Sequence, residues 1–319
     1  MQAVVLTDSG IALQEMPSPE LVSGEAVVAV ELAGICSTDL ELAKGYMDFH
    51  GILGHEFVGR VTECHDEAWL GRRVVAGINI APPDTTDTGL LSEHRHTPGR
   101  SVLGILNRHG AMAEQVAVPI ENLVQVPDAV PNETAVFAEP LAAALRISEQ
   151  LNLGNQNVAV IGPGRLGMLI AATLHQADCN VTLFGRSEAS LRLGRQWGIP
   201  TCHSDAPPKT AFDAVVEATG SPAGLELGLR LVRPLGRLIL KSTYAHPPAV
   251  DLSPIVVNEI NVIGSRCGSM HAAVRKLQEE TIDTDSLIDA RYPLSQALES
   301  FDVAARAGIR KVLLDIGTG

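Results

Sequence analysis

A glycine-rich turn near the middle of the chain is the feature that most constrains its fold. It consists of Gly162, Pro163, Gly164, Arg165, Leu166 and Gly167, and it fits the pattern G-x-G-x-x-G. The apolar run NVAVI precedes it, and MLIAATLHQAD follows with the spacing of a helix. In a strand–turn–helix unit, these glycines permit a tight turn, let a pyrophosphate approach the backbone and let helix pack on strand. The motif alone also fits an ordinary turn, but this context favours dinucleotide binding.

Two patterns divide the chain. Residues 1 to about 135 contain short β-rich runs separated by Gly, Pro and Asp clusters, which predicts a barrel-like β domain; the runs are AVVLT, EAVVAVELAG, EFVGRVTE, RRVVAGINI and AEQVAVP. From Asn157 onward, apolar strands alternate with helices, which predicts a parallel doubly wound sheet. Its predicted strands are NVAVI, NVTLF, FDAVVEATG, GRLILKS and INVIGS. The predicted fold class is therefore α/β with two domains.

Composition excludes several classes of partner. The net charge of -13, without a run of Lys or Arg, argues against nucleic-acid binding, because that binding needs clustered cations. No stretch is long and apolar enough to predict a membrane span or a secretory leader. The five cysteines are scattered and never form a C-x-x-C pair, which is typical of a reducing compartment. We expect a soluble cytoplasmic protein.

The choice of dinucleotide depends on the end of the strand after the glycine-rich turn. An acidic residue there would bind the 2′-hydroxyl of NAD, but the sequence has Gly185, Arg186 and Ser187. A small residue followed by a guanidinium leaves room for a 2′-phosphate and can pair with it. The sequence therefore predicts that NADP is preferred and that NAD is a possible substitute, although Arg186 also fits a solvated surface residue.

A second set of chemistry-bearing residues lies in the β-rich part. Cys36, Thr38 and Asp39 belong to the segment GICSTD, and His55 and Glu56 belong to GHEFVG. A thiolate, an imidazole and a carboxylate form a ligand set that suits Zn²⁺, and three protein ligands leave a position open for substrate. A His-Glu pair alone also fits a satisfied structural pair.

These motifs, taken in order, resemble one family. GICSTD, LGHEFVG, VFAEPLA, the glycine-rich turn, VVEATG and KVLLD closely resemble the zinc-dependent medium-chain dehydrogenases, especially the sorbitol, threonine and glucose dehydrogenase branch. The resemblance covers nearly the whole chain. It implies a GroES-like catalytic domain at residues 1–140 with 271–319 and a Rossmann cofactor domain at residues 141–270. It also implies hydride transfer between an alcohol or polyol and NADP or NAD, by a homo-oligomer in which a dimer is favoured.

Carried over residue by residue, the resemblance implies that Cys36 and His55 ligate a catalytic zinc. The third ligand is either Glu56 or Glu139, the glutamate of VFAEPLA. Thr38 matches a hydroxyl that passes the substrate proton outward. Asp39 matches a carboxylate that orients a ligand histidine; for both residues the alternative is a helix cap. For Glu139 the alternative is a favourable interaction with a helix dipole.

Two further segments bear on this resemblance. The pair Arg310 and Lys311 matches a cation that approaches the cofactor pyrophosphate, or else forms the charged edge of the last strand. The family's structural zinc site needs four cysteines, but residues 81–98 contain none. A replacement site could use Asp84, Asp87, His94 and His96, although a solvated polar loop is favoured.

The sequence therefore predicts one zinc per chain. Two rivals stay open, a zinc-free reductase of the same superfamily and a non-catalytic NADP-binding module. Retention of Cys36, His55 and Glu56 together argues against the zinc-free reductase.

Overall fold

The chain forms two compact units in the computed structural model, which describes residues 1–82, 95–209, 211–244 and 249–317. The first unit combines Met1–Glu139 with Ser269–Gly319, and the second is Pro140–Gly268. Asp84, Asp87 and His94 lie outside the described residues, so the suggested replacement site is not described. No helix in these described ranges is both long and apolar enough to cross a lipid bilayer.

The first unit is built mainly from antiparallel strands. Its strands are β1 Gln2–Thr7, β2 Gly10–Glu15, β3 Glu25–Gly34, β4 Gly51–Ile52, β5 Glu56–Cys64, β6 Arg73–Ala76, β7 Asn79–Ile80, β8 Ser101–Val102, β9 Gln115–Pro119, β10 Leu123–Gln125, β17 Ile288–Pro293 and β18 Lys311–Asp315. The largest sheet has the order β10-β6-β5-β3-β18-β17, with β9 beside β3. Strands β2, β1 and β4 form a second sheet, and β7 pairs with β8. The predicted β-rich domain is confirmed.

The run RRVVAGINI, which the sequence predicted to be β-rich, forms two strands rather than one. It divides at Gly77 into β6 and β7, which belong to different sheets. Gly77 N donates to Asn122 O at 2.8 Å, and Asn122 Nδ2 donates to the carbonyls of Gly77 and Asn79, each at 2.8 Å. The backbone and side chain of Asn122, distant in sequence, therefore replace the ladder bonds that one continuous strand would make.

Short helices complete the first unit and lead into the second. They are α1 Ser37–Leu42, α2 Asn132–Ala135, α8 Met270–Gln278 and α9 Ala297–Ala304, and α3 Ala138–Gln150 spans the chain boundary between the units. Helix α1 begins directly after the cysteine of GICSTD. Its N-cap is Cys36, and Asp39 Oδ2 accepts from Cys36 N at 2.8 Å. A carboxylate in the first turn thus fixes the start of this helix beside the cysteine.

The second unit is a parallel sheet with the predicted doubly wound pattern. Its strands are β11 Asn157–Ile161, β12 Asn180–Gly185, β13 Thr201–His203, β14 Phe212–Glu217, β15 Val232–Leu240 and β16 Asn261–Gly264, in the order β13-β12-β11-β14-β15-β16. Its helices are α4 Arg165–Gln176, α5 Glu188–Gln196, α6 Pro222–Leu231 and α7 Ser253–Val257. The order reverses between β11 and β14, which is the switch point where doubly wound sheets bind ligands. The short strand β13 was not predicted.

Candidate active site

The pairing of β3 with β5 brings the predicted metal ligands together. Gly34 at the end of β3 pairs with Glu56 at the start of β5. Cys36 follows two residues after β3, and His55 immediately precedes β5. Residues about 20 apart in sequence therefore meet at one end of two neighbouring strands.

Three side chains form a group that suits a zinc ion. One ligand atom from each of Cys36, His55 and Glu56 lies within 4.8 Å of the other two. His55 and Glu56 are buried, at 3% and 1% exposed, and Cys36 is half-buried. A thiol, an imidazole and a carboxylate converge there, and this donor set is one that Zn²⁺ prefers. The described residues thus contain a set of three ligands that fits the metal.

Asp39 is a buried acidic residue next to the group formed by Cys36, His55 and Glu56. Its carboxylate is fully buried and accepts from Cys36 N at 2.8 Å and from Gly54 N at 3.3 Å. His55 Nδ1 lies 3.4 Å from Asp39 Oδ1, although the two atoms are not aligned for a hydrogen bond. A carboxylate beside one ring nitrogen leaves the other nitrogen for a metal.

A glycine is required immediately before the histidine. Gly54 has φ +96°, and a Cβ on it would come within 2.5 Å of Met112 Cγ and 2.8 Å of Met112 N. Any L side chain would therefore strain the backbone and collide with Met112. The glycine of GHEFVG thus allows the backbone conformation that places His55 in the site.

The local charges act on the protonation of His55. Burial by itself lowers the pKa of a histidine, because it removes the cationic form from water. The neighbouring Asp39 carboxylate, followed by Cys36, outweighs burial and raises the pKa of His55 well above its usual value of 6.5. Without a metal, the imidazole therefore holds a proton that zinc binding must displace.

The structure corrects both sequence-based interpretations of Lys311, the second residue of the Arg310–Lys311 pair. Lys311 is buried, and its Nζ donates to Glu56 Oε2 and lies 5.4 Å from the centroid of the Phe137 ring. Arg310 instead faces Asp289, with 3.6 Å between Nη2 and Oδ1. Lys311 is therefore neither a solvated strand edge nor a cation free to meet a pyrophosphate, because β18 points its first side chain into the unit.

Thr38 and Glu139 were also predicted as site residues, but neither is one of the three side chains of the group. Thr38 is half-buried in α1, and its Oγ1 lies 3.8 Å from Cys36 Sγ. The structure does not bring Glu139 into the cluster of Cys36, His55 and Glu56. It is half-buried in the first turn of α3, where an acidic side chain interacts favourably with the helix dipole.

The glycine-rich turn in the second unit has the shape that a pyrophosphate needs. Gly162 has φ +105°, and a Cβ on Gly167 would come within 1.8 Å of Gly162 O. A Cβ on Gly164 would meet no heavy atom within 4 Å, so that side of the turn is open. Helix α4 begins directly after Gly164, with Arg165 and Leu166 half-buried in its first turn. The turn thus leaves space for a phosphate beside the first turn of a helix.

The residues predicted to choose the cofactor follow β12. Arg186 is exposed directly after the last residue of that strand, Gly185. Ser187 is the N-cap of α5, and its hydroxyl accepts from Ser190 N at 3.2 Å. The hydroxyl of Ser187 therefore caps the helix, and Arg186 is the cation at this strand end.

Comparison with known proteins shows the family to which this chain belongs. The family model of the Alcohol dehydrogenase GroES-like domain matches residues 22–128. The erythritol/L-threitol dehydrogenase of Mycolicibacterium smegmatis is 30% identical and covers 96% of this chain and 94% of its own. The chain belongs to the medium-chain alcohol and polyol dehydrogenase family. The resemblance noted from the sequence is confirmed.

Solved structures agree with this medium-chain dehydrogenase along nearly its whole length. An alcohol dehydrogenase from Thermus sp. ATN1 is 26% identical, with a TM-score of 0.88 and 99% of both chains covered. A zinc-binding dehydrogenase from Sinorhizobium meliloti 1021, bound to NADP, is also 26% identical, with a TM-score of 0.87 and 98% of both chains covered. A second family model, Ketopantoate reductase PanE/ApbA, matches residues 158–219, which contain the glycine-rich turn. This medium-chain dehydrogenase is therefore an oxidoreductase that uses a nicotinamide cofactor.

Proposed function

We propose that this medium-chain dehydrogenase uses one zinc ion per chain to oxidise a small alcohol or polyol, or to reduce the matching carbonyl compound. The observation that carries the proposal is the convergence of Cys36, His55 and Glu56. The relative that acts on erythritol and L-threitol supports a small polyol as the substrate class.

Each residue of the site has a distinct task in this proposal. Cys36 and His55 hold the metal, and Glu56 supplies the third ligand, with Glu139 as the alternative carboxylate. Zinc, when bound, supplies a Lewis acid that makes the hydroxyl of an alcohol easier to deprotonate.

The neighbouring side chains hold the ligands and receive the proton. Asp39 lies beside His55 Nδ1 and, in this proposal, keeps that ring nitrogen away from the metal. The hydroxyl of Thr38, next to Cys36 Sγ, is the group that we assign to receive the substrate proton.

The cofactor is NADP in preference to NAD in this proposal. The turn from Gly162 to Gly167 would hold the pyrophosphate, because its backbone is open at Gly164 and leads into α4. Arg186 would pair with the 2′-phosphate, since it is exposed at the end of β12.

We also propose that the enzyme is a homodimer. Strand β16 stands at one end of the parallel sheet. An apolar patch, defined here as Leu235, Leu252, Val256, Val257 and Val262, is exposed around it by 43 to 78%. An edge strand beside exposed apolar side chains favours pairing with a second copy. The five cysteines all occur as thiols in the described residues, which supports a cytoplasmic location.

A substrate panel with metal control tests this function. The purified protein would be assayed on small alcohols, polyols and their carbonyl forms with NADP and with NAD, before and after zinc removal by a chelator. We expect turnover that depends on zinc and about one equivalent of zinc by elemental analysis. Turnover that survives zinc removal would favour a zinc-free reductase, and cofactor binding without turnover on any substrate would favour a non-catalytic module.

A further inference from the structure

A buried carboxylate lies at the carboxyl end of β14, beside the switch point of the parallel sheet in the second unit. Glu217 is the last residue of β14 and is fully buried, at 0% exposed. Its Oε1 accepts from Thr219 N at 2.6 Å and from Thr219 Oγ1 at 2.5 Å, and its Oε2 accepts from Tyr244 Oη at 3.0 Å. Three hydrogen bonds to one carboxylate are the arrangement that holds a buried negative charge.

The donors to Glu217 are all neutral. They are one backbone amide and two hydroxyl groups. Burial and the adjacent carboxylate raise the pKa of Tyr244, so the phenol keeps the proton that it donates. A buried charge whose hydrogen-bond donors are neutral is shielded by little water and acts over a long distance.

The position of Glu217 in the sheet indicates which half of the cofactor binds on its side. Thr219 packs against the glycine-rich turn, because a Cβ on Gly162 would come within 2.9 Å of Thr219 Cγ2. The sheet order places β12, with Arg186 after it, on one side of the switch point and β14 on the other. A doubly wound sheet binds one mononucleotide on each half. If Arg186 marks the adenosine half, Glu217 belongs to the nicotinamide half.

We propose that the charge of Glu217 favours the oxidised form of the bound cofactor. The nicotinamide ring carries a positive charge when oxidised and none when reduced, whereas the rest of the dinucleotide keeps its charge. A buried anion on the nicotinamide side therefore stabilises the oxidised form selectively. This inference rests on the proposed cofactor-dependent function, and it assigns Glu217 an electrostatic task without contact with the reacting atoms.

Equilibrium binding of the two cofactor forms tests the proposal. Kd for NADP⁺ and for NADPH, and for the NAD⁺ and NADH pair, would be measured by titration on the zinc-loaded protein without substrate. In Glu217→Gln, we expect the ratio of Kd for the oxidised form to Kd for the reduced form to rise by about threefold to tenfold. The matched control Glu226→Gln changes an exposed glutamate on α6 and should leave the ratio unchanged.

Tyr244→Phe tests the sign of the effect with the carboxylate retained. Losing one donor leaves the charge of Glu217 less neutralised, so we expect the same ratio to fall. A purely structural role would instead weaken both cofactor forms equally in both variants and leave the ratio unchanged, which would overturn the proposal. If Glu217→Gln does not fold, an unchanged or higher ratio in Tyr244→Phe overturns it alone. A wild-type protein that binds neither cofactor pair would contradict the proposed function instead.

Discussion

Lys311 donates from Nζ to Glu56 Oε2 inside the first unit, and both side chains are almost fully buried, at 3% and 1% exposed. The centroid of the Phe137 ring lies 5.4 Å from Lys311 Nζ. A candidate zinc ligand is therefore already bound by a cation from the last strand. This pairing makes the stability of the metal-free protein depend on Lys311.

Replacing Lys311 with Met should destabilise the zinc-free protein strongly. The change leaves Glu56 buried without its cation, and breaking a buried pair in this way costs about 3 to 5 kcal/mol. Denaturant unfolding with a chelator present would measure the loss. The matched control Lys276→Met breaks the partly exposed Lys276–Glu279 pair and should cost less than about 1 kcal/mol.

A second variant separates lost charge pairing from lost packing. In the Lys311→Met background, Glu56→Gln removes the unpaired charge and should restore part of the stability. A double variant as unstable as the sum of both single variants would mean that the two side chains do not interact energetically.

Zinc binding should release the proton of His55. The pKa of His55 is raised by Asp39 and Cys36 against the effect of burial, so the imidazole of the zinc-free protein is protonated at neutral pH. The protonated form stabilises the zinc-free protein fully below pH 6.5, and this contribution is lost as pH rises through the raised pKa. Zinc affinity should therefore increase with pH over the same range, by up to about tenfold per pH unit for this one proton.

Calorimetric zinc titrations in buffers of different ionisation enthalpy would count the protons released. Asp39→Asn removes the largest influence that raises the pKa of His55, so this variant should release fewer protons near pH 7. Proton release identical to that of the wild type would contradict the assignment of Asp39.

Substitutions of Glu56 and Glu139 should differ in their effects on zinc affinity and turnover. If Glu56 is the third ligand, Glu56→Gln should lower zinc affinity or turnover by about 10- to 100-fold or more. Glu139→Gln should do the same only if Glu139 also reaches the metal. As a dipole partner it should cost about 0.3 to 1 kcal/mol of stability. Zinc content, turnover and unfolding of both variants, measured side by side, would decide; unchanged zinc and turnover in Glu139→Gln would remove Glu139 from the site.

Arg186 should control the choice of cofactor. We expect the wild type to use NADP better than NAD, because the guanidinium pairs with the 2′-phosphate. Arg186→Asp removes this pairing and adds repulsion, so kcat/KM for NADP relative to NAD should fall by at least about tenfold. Arg192→Asp, an exposed change further along α5, serves as the control. A wild type that prefers NAD would refute the prediction.

The apolar patch beside β16 should be the dimer interface. Val257 is 78% exposed in this patch, so Val257→Glu should place a charge in the interface and yield a monomer by light scattering. Leu298→Glu places the same charge on α9 at a residue that is 50% exposed, and it should leave the dimer intact. A monomeric wild type at micromolar concentration would disprove the dimer itself.

The sequence determined the parts of this protein that depend on local pattern. The alternation of apolar strands with helices predicted the parallel sheet, and the spacing of Gly162, Gly164 and Gly167 predicted the open turn before α4. The motifs GICSTD and GHEFVG identified Cys36, His55 and Glu56, because a family resemblance preserves motif order and residue type. The physical reason is that a turn, a strand period and a helix start are each specified within a few consecutive residues.

Only the tertiary structure decided which distant side chains meet. Lys311 stands 255 residues from Glu56 in the chain, and no local pattern reveals that β18 inserts beside β3 and points its first side chain inward. The division of RRVVAGINI depends on Asn122, and the burial of Glu217 depends on Thr219 and on Tyr244 beyond the next strand. Burial, charge pairing and pKa arise from the sum of such long-range contacts, which a residue's neighbours in sequence do not encode.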